Sequence, residues 1–119
     1  MTFGSILKGL RVEQGVSLRG LAQASGLDVA YLSRLERDIM NAPINEDFYE
    51  KVSSALRLAS DQARKLKDVG DLSNQRIPGG VEFSSNDMEY LPILLRTINN
   101  KKLNEDQYKE LARVLNEQI

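Results

Sequence analysis

The stretch LAQASGLDVAYLSRLERD, Leu21 to Asp38, carries apolar residues at helical spacing on both sides of a single glycine, Gly26. Apolar positions three and four apart mark one face of a helix, and a glycine between two such runs supplies the positive φ of a tight corner. Two short helices meeting at Gly26 are therefore expected. The first runs from Leu18 to Ser25, with Ser17 as its cap and Leu21 and Ala22 turned inward. The second runs from Val29 to Arg37 behind Asp28, burying Leu32 and Leu35 and leaving Val29, Ala30, Ser33, Arg34 and Arg37 outside.

Upstream, Phe3, Ile6, Leu7 and Leu10 predict a helix from Phe3 to Gln14, stopped by Gly15 in a left-handed conformation. Downstream, Phe48, Val52, Ala55 and Leu56 predict a helix from Asn45 to Leu58 after a loop through Pro43, and Ser60 is expected to cap a short fifth helix that Gly70 closes. The exposed pair Ile39 and Met40 beside the second helix of the corner is expected to pack under the helix that follows, with contact to a second subunit or to a sugar edge of DNA as the alternatives. From Asp71 to Ser85 the text DLSNQRIPGGVEFSS has no helical period and reads as a connection.

Helical signals resume at Ser84 or Ser85, and Pro92 is expected to break that segment near Leu91. In the last helix Asn104 is the cap, Gln107 its capping-box partner, and Leu103 staples to Tyr108. Tyr108, Leu111, Ala112, Leu115 and Ile119 then form one apolar stripe, expected to pack on the head of the chain or on another chain. No segment alternates apolar and polar residues long enough for a sheet, so the expected class is all-α. The expected organisation is a head over 1–70, a linker over 71–85 and a helical dimerisation or interaction region over 86–119.

Composition narrows the chemistry. The 119 residues include no Cys and no His, which removes disulfides, Cys/His zinc sites, Ser-His-Asp triads and imidazole bases. No GxGxxG or GxxxxGK phosphate loop is present, so neither an enzyme nor a cofactor or metal is expected. Apolar runs fall far short of the ~20 residues that span a bilayer, and MTFGSILKGLRVEQ lacks a basic leader before an apolar stretch. A cytoplasmic protein that does not enter the membrane is expected. A ligand-sensing regulator is disfavoured, because so small a tail does not enclose a pocket of ~300 Å³.

A helix-turn-helix needs a first helix across the DNA backbone, a glycine-containing turn, and a second helix whose outer residues reach base edges. Leu21 to Asp38 supplies these in order. Through ILKGLRVEQGVSLRGLAQASGLDVAYLSRLERD and the later SSALRL, the chain from about Phe3 to Leu58 resembles the Cro/C1-type (XRE) helix-turn-helix regulators of bacteria and phage. The resemblance implies a five-helix lambda-repressor-like DNA-binding head followed by a small helical tail. It implies base reading by Val29, Ala30 and Arg34, with Ser33 and Tyr31 as neighbours that reach bases or phosphates. It also implies phosphate contacts at Ser17, Leu18, Arg37 and the loop to Asn41, and an orienting pair of Arg11 with Glu36, taken as exposed.

The chain departs from that family where Asp28 stands for a capping Ser or Thr, where Asp38 stands for the usual glycine, and where the following loop, commonly basic, reads DIMNAP. From Met1 to Val69 there are ten Lys and Arg against nine Asp and Glu, so a single head attracts DNA weakly and two heads on one duplex are needed. The function implied is a sequence-specific regulator, a repressor that binds a palindromic operator as a homodimer through the helix at 29–37. The alternative is an antitoxin or interaction protein whose C-terminal helices bind a protein partner. In some relatives with such a tail a zinc peptidase cuts near the C-terminus, which would make a peptidase a further partner.

Overall fold

The computed structural model describes all 119 residues and is entirely helical. Its helices are α1 (Phe3–Glu13), α2 (Leu18–Ser25), α3 (Val29–Glu36), α4 (Glu46–Leu56), α5 (Ser60–Ser73), α6 (Ser85–Lys101) and α7 (Glu105–Gln118). The chain divides into two units, Met1–Val81 and Glu82–Ile119. No helix is long and apolar enough to cross a membrane.

In the first unit the apolar positions of five helices converge on one core. Leu7, Leu21, Leu32, Leu35, Val52, Leu56 and Leu66 are fully buried, and Leu10, Ala22, Ala55 and Val69 close its edges. Phe3, Phe48 and Tyr49 form an aromatic group, with Phe48 edge-on to Tyr49 at 5.1 Å between ring centres. Tyr49 also donates from its hydroxyl to the Pro43 carbonyl at 2.6 Å, tying α4 to the loop that precedes it.

Local chemistry sets the helix ends. Thr2 caps α1, Ser17 caps α2, Asp28 caps α3 and Asn45 caps α4, each accepting a backbone N–H from the first turn. Two ends differ from expectation. Ala59, not Ser60, is the cap of α5, and Gln62 reaches back from the first turn to accept the Ala59 N–H at 2.9 Å. Gly70 does not close α5, which continues to Ser73. Any side chain at Gly70 would collide with the Tyr49 hydroxyl, so this glycine serves close packing inside the helix. The turn beyond it is held by buried Asp71, which takes Lys67 Nζ at 2.6 Å, and by Asn74 Nδ2 donating to the Ala42 carbonyl at 2.8 Å.

In the second unit α6 begins with a capping box between Ser84 and Asp87 and runs through Pro92 without the expected break. Pro92 has no N–H to give the Met88 carbonyl, so one rung of the ladder is missing. The capped turns before it and the nine residues after it keep their own hydrogen bonds, and the helix holds. At α7 Asn104 and Gln107 exchange hydrogen bonds of 2.9 Å in a second capping box. No residue of α6 or α7 is buried.

Candidate nucleic-acid interface

Gly26 makes the corner. Its φ is 75°, in the left-handed region that side chains disfavour, and its N–H closes α2 on the Ala22 carbonyl at 2.9 Å. Two residues later Asp28 accepts the Tyr31 N–H at 2.9 Å and starts α3. Leu32 and Leu35 then face fully into the core, which fixes the opposite face outward.

Val29, Ala30, Arg34 and Arg37 are exposed on that face and Ser33 is half-buried beside them. Ala30, Arg34 and Arg37 follow one another at intervals of four and three, so they line one side of the helix. Arg34 forms no ion pair, which leaves all its donors free. Arg37 rests its Nε on the Ser33 carbonyl at 3.3 Å. Tyr31 behaves differently from its neighbours. Its ring is half-buried and edge-on to Phe48 at 6.2 Å, and burial pushes its hydroxyl above the usual tyrosine range, so it roots α3 in the core.

Ser17 is exposed and uses its hydroxyl oxygen to accept the Gly20 N–H at 2.9 Å, whereas Leu18 is half-buried against the core. Asn41 is exposed. It lines a surface hollow of about 520 Å³ with Met1, Met40 and Leu72. A second hollow of about 340 Å³ lies between α2 and the start of α3, lined by Arg19, Ala22, Gln23, Leu27, Asp28 and Val29.

Arg11 and Glu36 meet in a two-pronged pair, Nε to Oε2 at 2.7 Å and Nη2 to Oε1 at 2.9 Å, while Arg11 Nη1 donates to the Val16 carbonyl at 2.9 Å. The pair is not at the surface as expected, for its side chains are only 12% and 6% exposed. The hydrogen bonds that Arg11 donates to the Glu36 carboxylate raise the arginine's pKa and outweigh the desolvation that opposes its charge. The guanidinium thus joins α1, the turn into α2 and the end of α3.

Ile39 and Met40 do not pack under α4. They are 62% and 40% exposed. Asp38 takes a left-handed turn with φ 57°, the Ile39 N–H returns to the Arg34 carbonyl at 3.0 Å, and the loop is directed outward. Ala42 fills the core space instead, at 7% exposed.

Sequence reasoning missed Asp38 itself. Its Oδ1 accepts the Gly4 N–H at 2.9 Å and its Oδ2 accepts the Thr2 hydroxyl at 2.6 Å, so it closes the start of α1 onto the end of α3. An aspartate where the resembling family has glycine was the available signal.

In the second unit the stripe on α7 divides. Tyr108 and Leu115 are each half exposed, Ala112 is exposed and Ile119 is 92% exposed, whereas Leu111 is partly covered together with Val114. Ion pairs from Lys109 to Glu105 and from Arg113 to Glu110 and Glu117 run along the polar side of the same helix.

Residues 7–61 match the helix-turn-helix family model. The chain is 33% identical over 79 residues to the HTH-type transcriptional regulator SlrR of Bacillus subtilis (strain 168), covering 66% of this chain and 49% of that protein. It is 35% identical over 72 residues to the HTH-type transcriptional regulator SinR of Bacillus licheniformis, covering 60% of this chain and 64% of the relative. It thus spans less than two thirds of either curated relative's length, about half of the first. Among solved structures, the SinR protein/SinI protein complex matches with a TM-score of 0.50 and 25% identity, covering 97% of this chain and 95% of that one.

Proposed function

We propose that this chain, whose residues 7–61 match the helix-turn-helix family model, is a Cro/C1-type transcriptional regulator, a repressor that binds a palindromic operator as a homodimer with α3 in the major groove. The observation that carries the proposal is the outward face of α3. Ala30 and Arg34 are free of any protein partner, while Leu32, Leu35 and the Arg11–Glu36 pair hold the helix beneath them.

Arg34 reads guanine through O6 and N7, and Val29 and Ala30 touch thymine methyl groups, with Ser33 beside them. Ser17, Leu18, Arg37 and Asn41 position the head on phosphates without specifying sequence. Tyr31 supports that surface from the core side and reaches phosphate only through its hydroxyl. The site acts in the cytoplasm and requires no cofactor.

The near-balanced charge of the head makes pairing of heads part of the mechanism, and α6 and α7 supply it. A second reading has its own support: the similar solved structure is a complex of SinR with SinI, and a partner protein that occupies the helices from Asn86 to Ile119 would control the dimer. A peptidase that removed them would act on the same step.

Selection of bound duplexes from a random pool at near-physiological salt tests the function. The expected result is an enriched palindrome with half-sites about 10 bp apart or a multiple of it. Recovery of unrelated sequences would overturn the operator and leave partner binding by the tail as the function to pursue.

A further inference from the structure

The charge of the head is unevenly used. Arg11 is committed to Glu36, Lys51 to Asp47, and Lys67 to Asp71 and Glu46. Arg19 forms no ion pair, although Asp28 lines the same hollow between α2 and α3. It is exposed on the second position of α2, one turn before exposed Gln23, and the hollow that holds both ends at Val29, the first residue of the reading helix.

When a reading helix lies in the major groove, the preceding helix crosses the phosphate backbone at the groove's edge. Asp28 would bring a negative charge to that edge, already engaged through Oδ2 in capping α3. A guanidinium on the facing wall offsets it, and no group of the protein competes for its donors.

We propose that Arg19 grips the DNA phosphate that flanks the base step met by Val29, acting as a positioning contact beside the Asp28 cap. This rests on the operator-binding reading above. Arg19 carries no structural duty in the head, so its removal acts on DNA and not on folding. It offsets the local repulsion of Asp28 and holds α2 against the strand, which sets how deep α3 enters the groove.

The test measures full-length protein on its selected duplex across a series of salt concentrations. For Arg19→Ala the slope of log affinity against log salt is expected to fall by about one per head, with base preference and thermal midpoint unchanged. Arg19→Lys keeps the charge and is expected to keep the slope. An unchanged slope in Arg19→Ala would overturn the proposal while leaving operator binding intact. A shift in base preference would overturn it too, making Arg19 a base reader. If the wild-type chain selects no duplex, the operator-binding reading fails together with this contact.

Discussion

Asp38 Oδ1 accepts the Gly4 N–H at 2.9 Å across 34 residues of chain. The two residues lie where α1 comes closest to α3: a side chain at Gly4 would collide with the Leu35 and Glu36 carbonyls and with Asp38 itself. Only a glycine allows the approach, and only an acceptor at 38 satisfies the amide it brings in.

Replacing Asp38 by Ala is therefore expected to cost about 2 kcal/mol, because two hydrogen bonds to a carboxylate are lost while the left-handed φ remains. Asp38→Gly removes the same bonds but relieves the backbone, so its loss should be smaller by about 1 kcal/mol. Urea unfolding of the two variants measures both. Equal losses would show that the positive φ carries no cost here.

The Arg11–Glu36 pair is mostly buried, so it should not behave like an exposed ion pair worth ~0–1 kcal/mol. Removing one partner leaves a charge without water or counterpart, a loss of about 3 kcal/mol. Arg11→Ala should show that loss in urea unfolding, and Glu36→Ala a similar one. A double replacement by apolar residues of similar volume should lose less than either. If Arg11→Ala were within 0.5 kcal/mol of wild type, as is usual for surface substitutions, the pair would be an ornament of the surface.

These two relationships differ in how far they could be read in advance. Helix caps and corners are local: Ser17, Gly26, Asp28, Asn104 and Gln107 announce themselves within a few residues, because their partners lie within the same turn. The Asp38 contact joins segments 34 residues apart, and its one signal is an aspartate at a helix end where the resembling family has glycine. Gly70 reads as a stop by local rules, yet Tyr49 converts it into a packing residue. Pro92 reads as a break, yet the capped turns on its N-terminal side carry the helix across the missing rung. Exposure was the hardest property to anticipate. Ile39 and Met40 are apolar and point outward, while Arg11 and Glu36 are charged and point inward, because backbone direction at Asp38 and the Val16 carbonyl decide their surroundings.

Tyr49 predicts an alkaline weakness of the head. Burial, with Asp71 as a further negative neighbour, raises its hydroxyl above the ordinary value of 10.0. A group with a raised folded pKa contributes its full stability below the unfolded pKa and loses it as pH climbs beyond. Stability measured by urea between pH 8 and 11 should fall above about pH 10. Tyr49→Phe should lose about 1 kcal/mol at pH 8, since the Pro43 carbonyl loses its donor, and should then decline less steeply than wild type. Parallel declines would assign the loss to other groups.

The second unit predicts its own dependence on a partner. A helix pair with no buried residue has little apolar burial to offset the entropy of ordering it, so the proposed pairing is expected to add to its stability. Tyr108 and Leu115 lie seven positions apart on α7, each half exposed, and mark the side left open. If the tail pairs two copies as proposed, Tyr108→Asp with Leu115→Asp should leave the chain monomeric in sedimentation. Because two linked heads bind one duplex with an avidity that exceeds a single head by about 10² to 10⁴, operator affinity should fall by a comparable factor while the head keeps its thermal midpoint. A doubly substituted chain that remained dimeric would move the interface to another face of the tail, and a wild-type chain that was monomeric with undiminished operator affinity would remove the tail from DNA binding altogether.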